Sequence, residues 1–214
     1  MKKKIPCICE NTFDIEYSEE IDLDNDKKYL DEIQDGTFLN FTCPACGKNN
    51  KPEFPLSVIW PSREMHFEVI PELERGDFYR KKKQAAEKGA LPPETLIGYP
   101  ELAERLTIIQ DGLDPVPVES IKYHLQIKAE EQYPENEMEV WYIGLVDESG
   151  KQSSLEFHIT GIKENEVAVM KVPFSVYERT LEDYKKNPKS EKYSVLRHRG
   201  YLSYKNTMRP EIQK

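Results

Sequence analysis

Four cysteines carry the clearest chemistry in this chain. They fall as Cys7-Ile8-Cys9 and Cys43-Pro44-Ala45-Cys46, with 33 residues between the inner two. Two close pairs separated by a loop can supply the four thiolates of a tetrahedral zinc site, whereas disulfides are rare in an intracellular chain. In the second pair Pro44 stiffens the turn, and Gly47 can take the positive φ that lets backbone N–H groups turn toward sulfur. The first pair has one intervening residue instead of two, which gives a tighter bite and fewer backbone donors. The spacing predicts Zn2+ on Cys7, Cys9, Cys43 and Cys46; the alternative is four reduced cysteines, packed or at the surface, without metal. Four sulfur ligands leave no open position for water, so the expected role is structural rather than hydrolytic.

Other candidate chemistry is weaker. Asp22, Asp24 and Asp26 alternate as at the start of a calcium loop, but the sixth position is Lys27 where glycine is required and the twelfth is Ile33 rather than glutamate. A polar loop with a helix cap is the expectation there. The histidines His66, His124, His158 and His198 are scattered. His66, in a strand after the second cysteine pair, is a substitute ligand should Cys7 or Cys9 fail, although a strand histidine is more often a partly exposed neighbour. No phosphate-cradling glycine loop, helical HExxH pair or serine elbow is present, so the expectation is a non-catalytic protein. Glu101, Glu104 and Arg105 sit at i, i+3 and i+4. That spacing reads as intrahelical pairing worth about 0.2–0.5 kcal/mol, in preference to a polar face that, with Tyr99, presents a binding groove.

Charge is unevenly spread over the 214 residues, whose net charge is −9. From Glu10 to Asp35 there are 11 acidic and 2 basic residues; from Lys186 to Lys214 there are 8 basic and 2 acidic. The acidic block reads as a solvated face. The tail interleaves Arg197, His198, Arg199, Lys205 and Arg209 with Tyr201 and Tyr204, as a nucleic-acid surface would. Overall acidity opposes that reading, because the acidic block repels a phosphate backbone. A protein partner is therefore expected first, with nucleic-acid binding through a zinc ribbon and the basic tail as the alternative. There is no long apolar run, and Lys2 to Lys4 have no apolar stretch behind them, so no membrane span or signal peptide is expected. The expected location is cytoplasmic.

The elements that position the cysteines follow from periodicity. Phe13, Ile15 and Tyr17 alternate with acids, which predicts a strand over 12–17; Asp26 caps a short helix through Ile33, stopped by Gly36; Thr37 to Thr42 alternates into the second pair. Phe54 to Trp60 and Met65 to Ile70 read as a hairpin around Pro61-Ser62, which gives a small antiparallel sheet with the metal at one end. From Pro71 the pattern turns helical toward Gly89, with Arg80 to Lys83 exposed. Leu102, Leu106 and Ile109 mark a second helix, and Val118, Ile121, Leu125 and Ala129 the stripe of a third. After a linker at Tyr133 to Glu137, Val140–Val146, Ser153–Thr160 and Glu166–Val172 form a three-strand meander with turns at Glu148-Ser149-Gly150 and from Gly161 to Asn165. Pro173 opens a helix with Phe174, Tyr177, Leu181 and Tyr184 on one face, ended by Asn187-Pro188. The fold expected is α+β: a zinc-ribbon-like antiparallel sheet, a helical middle, and a meander capped by a helix, in domains 1–133 and 138–214.

Tyr29 to Asn40, running through Phe41-Thr42 into Cys43-Pro44-Ala45-Cys46-Gly47, and later Gly98-Tyr99-Pro100-Glu101-Leu102-Ala103-Glu104-Arg105 are matching stretches. On these, residues from Ile5 to about Tyr123 resemble the CpXC family of bacterial and archaeal proteins, a domain defined by two Cys-Pro-x-Cys-like pairs. The chain departs at the first pair, where Pro6 precedes Cys7 and the spacing is one residue short. The resemblance implies a zinc-binding module and says nothing of catalysis.

Overall fold

A computed structural model describes residues 1–80, 93–147 and 153–209. Packing divides the chain into two compact units, Met1–Ala103 and Glu104–Lys214.

The first unit opens with a hairpin of β1 (Lys2–Pro6) and β2 (Thr12–Glu16), in register from Lys2↔Glu16 to Pro6↔Thr12. β3 (Glu20–Asp22) leads to α1 (Lys27–Gln34), and β4 (Phe41–Thr42) pairs with β5 (Asn49–Asn50) in a second small hairpin. β6 (Leu56–Trp60) and β7 (Met65–Ile70) form the expected antiparallel pair about a 3-10 turn at Pro61–Arg63. Their alternation buries Leu56, Val58, Trp60, Phe67 and Val69 on one face. The expected single antiparallel sheet is corrected in two respects. The cysteine hairpins are separate from the larger sheet, and that sheet is mixed, with β3 parallel to β6 and β8 (Glu94–Ile97) parallel to β7.

Three local expectations also change. Asp26 precedes α1 but its side chain makes no capping hydrogen bond. Asp22 is the fastener instead, accepting from the N–H of Asp24 and Asn25, while Asp24 accepts the N–H and hydroxyl of Ser62, each at 2.6 Å. Two of the three carboxylates that mimic a calcium loop, those of Asp22 and Asp24, are spent on holding turns. Thr37 to Asn40 is not a strand: Thr37 and Phe38 both donate N–H to Glu32 O at 2.9 Å, wrapping the end of α1, and only Phe41–Thr42 extends. After Pro71 the chain makes a 3-10 turn (Glu72–Glu74) and α2 (Arg75–Arg80); the expected continuation over Lys81 to Gly89 and the turn at Glu148 to Gly150 lie outside the described residues.

α3 (Tyr99–Gln110) contains the boundary between the units. In the second unit α4 (Pro115–Gln132) starts at Asp114, whose carboxylate accepts the Val116 N–H at 2.9 Å. Asp114→Ala should cost about 1 kcal/mol and lower this unit's melting midpoint by several degrees in calorimetry. β9 (Glu139–Val146), β10 (Ser154–Thr160) and β11 (Ala168–Pro173) form the expected antiparallel meander, with β10 central. Leu155, Phe157 and Ile159 bury one face against a core that includes Val118, Ile121, Leu125 and Ala129 of α4 and Tyr177 of α5 (Phe174–Lys186). The Tyr133–Glu137 segment joins α4 to β9 inside this unit. It passes so close to Gly161 (φ +85°) that a Cβ there would overlap the Glu137 carbonyl. α6 (Glu191–Ser194) precedes a hairpin of β12 (Arg197–His198) and β13 (Tyr201–Leu202) and a final 3-10 turn at Tyr204–Met208.

Glu101, Glu104 and Arg105 find partners beyond α3. Glu101 accepts the N–H of Ile97 at 3.0 Å and pairs with Arg75 at 2.7 Å. Glu104 takes Lys122 Nζ at 2.7 Å and the Tyr142 N–H at 2.6 Å, while Arg105 donates to Leu202 O at 3.0 Å and lies 3.7 Å from Glu119. Glu119 in turn receives Lys122 at 3.2 Å and the Tyr204 N–H at 2.9 Å. All are buried. Spacing on one helix predicts neighbours on that helix only, and burial here hands each charge to a partner from another element.

Candidate metal centre

Each cysteine pair sits in the turn of a two-stranded hairpin. After β1, Cys7 donates its N–H to Asn11 O at 2.8 Å and receives Glu10 N–H on its carbonyl at 2.9 Å, with Glu10 in left-handed conformation (φ 67°). Between β4 and β5, Cys43 N–H reaches Lys48 O and Gly47 N–H reaches Cys43 O, both at 2.9 Å. Gly47 turns there at φ +71°, as the sequence suggested. The two turns face each other. Cys7 Sγ lies 3.6 Å from Cys46 Sγ, Cys9 Sγ lies 3.8 Å from Cys43 Sγ, and all four sulfurs fall within 4.8 Å of one another. Cys7 and Cys43 are buried, Cys9 and Cys46 exposed.

These separations discriminate between chemistries. A disulfide needs about 2.05 Å between sulfurs, and all four cysteines are free. A tetrahedron of thiolates about 2.3 Å from a central zinc has sulfur–sulfur edges of about 3.8 Å. The two closest pairs match that edge, and both join one hairpin to the other. The donor set therefore fits a four-coordinate, sulfur-only ion.

The surrounding dipoles favour thiolates. Burial raises the Cys43 thiol, but the backbone N–H groups of Cys46 and Ala45 and the Asn11 side chain, 3.8 Å from its sulfur, outweigh that and hold it down at about 6. The Cys9 backbone N–H likewise lowers Cys7, so the short Cys7-Ile8-Cys9 bite still supplies a donor to sulfur. Cys46 receives the Lys48 N–H, yet the neighbouring thiols and burial push it up to about 12. Without a cation, four adjacent sulfurs cannot all ionise, because like charges at this range repel; a divalent ion removes that obstacle.

The other candidates lie elsewhere. His66 pairs with Ser57 Oγ at 2.9 Å, and among the described residues the four cysteines alone form a metal-holding group. Tyr201 and Tyr204 of the basic tail are buried, 0% and 2% exposed, and Tyr204 accepts the Val140 N–H at 3.0 Å. They fill the core rather than a stacking surface. Among the described residues no helix is long and apolar enough to cross a membrane.

Residues 5–122 match the CpXC protein family, and the match contains both cysteine hairpins. The chain belongs to the CpXC family. An uncharacterized protein of Treponema pallidum (strain Nichols) is 30% identical over 217 residues, which covers 95% of this chain and 97% of that one. No solved structure matches. The CpXC match ends at Lys122, within α4, so the meander and α5 lie beyond it.

Proposed function

We propose that this CpXC protein holds one Zn2+ on Cys7, Cys9, Cys43 and Cys46 as a closed structural site, and that the zinc-stabilised module binds another protein in the cytoplasm without catalysing a reaction. The observation that carries the metal is the gathering of four sulfurs from two hairpins within 4.8 Å of one another, with two separations, 3.6 and 3.8 Å, near the edge of a tetrahedron. With four thiolates the ion has no open position, so it supplies folding energy and no hydrolytic water. What remains for function is surface, and an acidic chain of net charge −9 suits a protein partner better than a polyanion.

Elemental analysis of protein purified under reducing, chelator-free conditions should give one zinc per chain. Adding a strong chelator should expose four titratable thiols in proportion to the zinc removed. Absence of metal with four thiols reactive from the start would overturn the site. The binding role is tested by cross-linked pull-down from native extract. A reproducible stoichiometric partner supports it; no partner, together with turnover in a substrate screen, sinks it.

A further inference from the structure

A groove of about 350 Å³ lies on the second unit between α4, α5 and β11. Its lining includes Met170, Lys171, Val172 and Pro173 in unbroken succession. Side chains along a strand alternate between faces, so a cavity on one face alone would be lined by every second residue. Four consecutive residues border a space only where the edge of the strand opens onto it.

β11 ends the three-strand sheet, beyond β10. Phe174 N–H donates to Ser153 O at 2.9 Å, and the register continues through Val172↔Leu155, Met170↔Phe157 and Ala168↔Ile159. Those residues exchange their backbone hydrogen bonds with β10, so the alternate set, Val169 among them, directs N–H and C=O to the outer edge. Edges of this kind are normally blunted by charge or proline. Here Lys171 and Pro173 stand at one end only, while Val167, Val169 and Met170 are 51%, 53% and 41% exposed.

The lining sets the chemistry of an occupant. Ile121, Leu125, Val172 and Val176 make it aliphatic, and its charged residues are Lys128, Lys171 and Lys192, with no carboxylate among them. Lys192 also holds Asp183 at 3.0 Å, and Lys171 lies opposite Glu156. His124 adds a polar wall through a ring whose Nδ1 is bonded to Ser120 O at 2.9 Å. A cationic groove on a chain of net charge −9 selects anions against the long-range field. An aliphatic floor without aromatic platforms does not suit nucleobases. Backbone groups repeating along a strand edge are matched by another extended polypeptide.

We propose that the β11 edge and this groove take up an acidic, extended segment of a partner protein. The segment adds as a further strand, and its side chains on the helix-facing side, apolar residues interspersed with carboxylates, meet the aliphatic floor and the ammonium groups of Lys128 and Lys192. This rests on the protein-binding reading above and names the chemistry of the partner.

The test uses the full zinc-loaded chain and a fluorescein-labelled eight-residue peptide with threonine at every second position and valine and glutamate taking turns at the others, so that valines and glutamates share one face of the strand, read by fluorescence anisotropy. Saturable binding is expected, weakened about tenfold or more by N-methylating alternate peptide amides and by the Lys128→Glu, Lys192→Glu variant. The same peptide with lysine in place of glutamate should bind at least tenfold more weakly. Amides of residues 167–173 should gain protection from hydrogen exchange in the complex, and circular dichroism of the variant should match the parent. Binding indifferent to N-methylation or to lysine reversal overturns the proposal, as does equal uptake of the lysine peptide or no saturation. Concentration-dependent self-association that protects 167–173 would assign the edge to a second copy and equally overturn it. A pull-down partner whose cross-links fall away from β11 overturns this site and leaves the protein-binding reading intact.

Discussion

The Cys43→Ser, Cys46→Ser variant is expected to lose its zinc and, with it, the fold of the two cysteine hairpins. β1 and β2 share five register pairs and β4 and β5 only two, and an isolated two-stranded hairpin is marginal in water. Apart from Ile5 and Ile15, these strands bury little: most residues of β1 and β2 are exposed and neither residue of β4 is buried. The proposed zinc would supply the closure that apolar burial does not, and binding energy of this type is folding energy, about 10 kcal/mol or more in small zinc modules. Limited proteolysis should cut the variant first between residues 5 and 50, while the second unit stays resistant. The same single-site pattern should follow chelation of the parent. A variant that keeps zinc, or one that loses it with no change in cleavage, would show that the hairpins stand without the ion.

Lys122→Met should be the most damaging single substitution in the second unit. The ammonium sits 2.7 Å from Glu104 and 3.2 Å from Glu119, 3% exposed, with the rings of Tyr204 and Trp141 at 5.0 and 5.7 Å. Removing it leaves two buried carboxylates with only Arg105, 3.7 Å from Glu119, to balance them, a loss of about 3–5 kcal/mol, or on the order of 20 °C in melting midpoint for a unit of this size. Neutralising Glu104 as well, with Glu104→Gln, should recover much of that loss, because Glu119 keeps Arg105 at 3.7 Å and the orphaned charge is that of Glu104. The pH dependence has a definite sign. Burial alone would lower the lysine, but Glu104 and Glu119 outweigh it and raise it above the ordinary range. A raised cationic group contributes fully below its unfolded pKa of about 10.4 and loses that contribution as pH climbs through the folded value. Calorimetry should therefore show no loss from this group between pH 7 and 10 and a decline in stronger alkali. Glu104 is shifted upward by burial ahead of the pull of Lys122, so it takes a proton readily as the pH falls.

Much of this architecture was legible because the relevant signals are local. Alternation over Phe13 to Tyr17, Leu56 to Ile70 and Leu155 to Ile159 placed strands, and the Val118, Ile121, Leu125, Ala129 stripe placed α4. The cysteine set was legible from identity and spacing, and the structure brings all four sulfurs together. What escaped was non-local. β8 is four residues long with buried Leu96 and Ile97 adjacent, so it shows no alternation, and its parallel alignment with β7 has no turn to announce it. Thr37 to Asn40 alternates by accident, since the demands of the α1 terminus claim its N–H groups. Glu104 reads as a member of an intrahelical pair and Glu119 and Lys122 draw no reading at all, because a buried ion pair has no sequence signature until partners from separate elements meet. Tyr201 and Tyr204 misled for the same reason, being next to cations along the chain and inside the core in space.

The order in which ligands emerge during synthesis follows from where the hairpins lie. All four cysteines precede every residue of the second unit, and the last of them, Cys46, follows the first by 39 residues. The ligand set is thus complete while α4 and the meander are still being translated, and domains commonly fold as they emerge, amino-terminal part first. The proposed zinc site is thereby open to loading on the nascent chain.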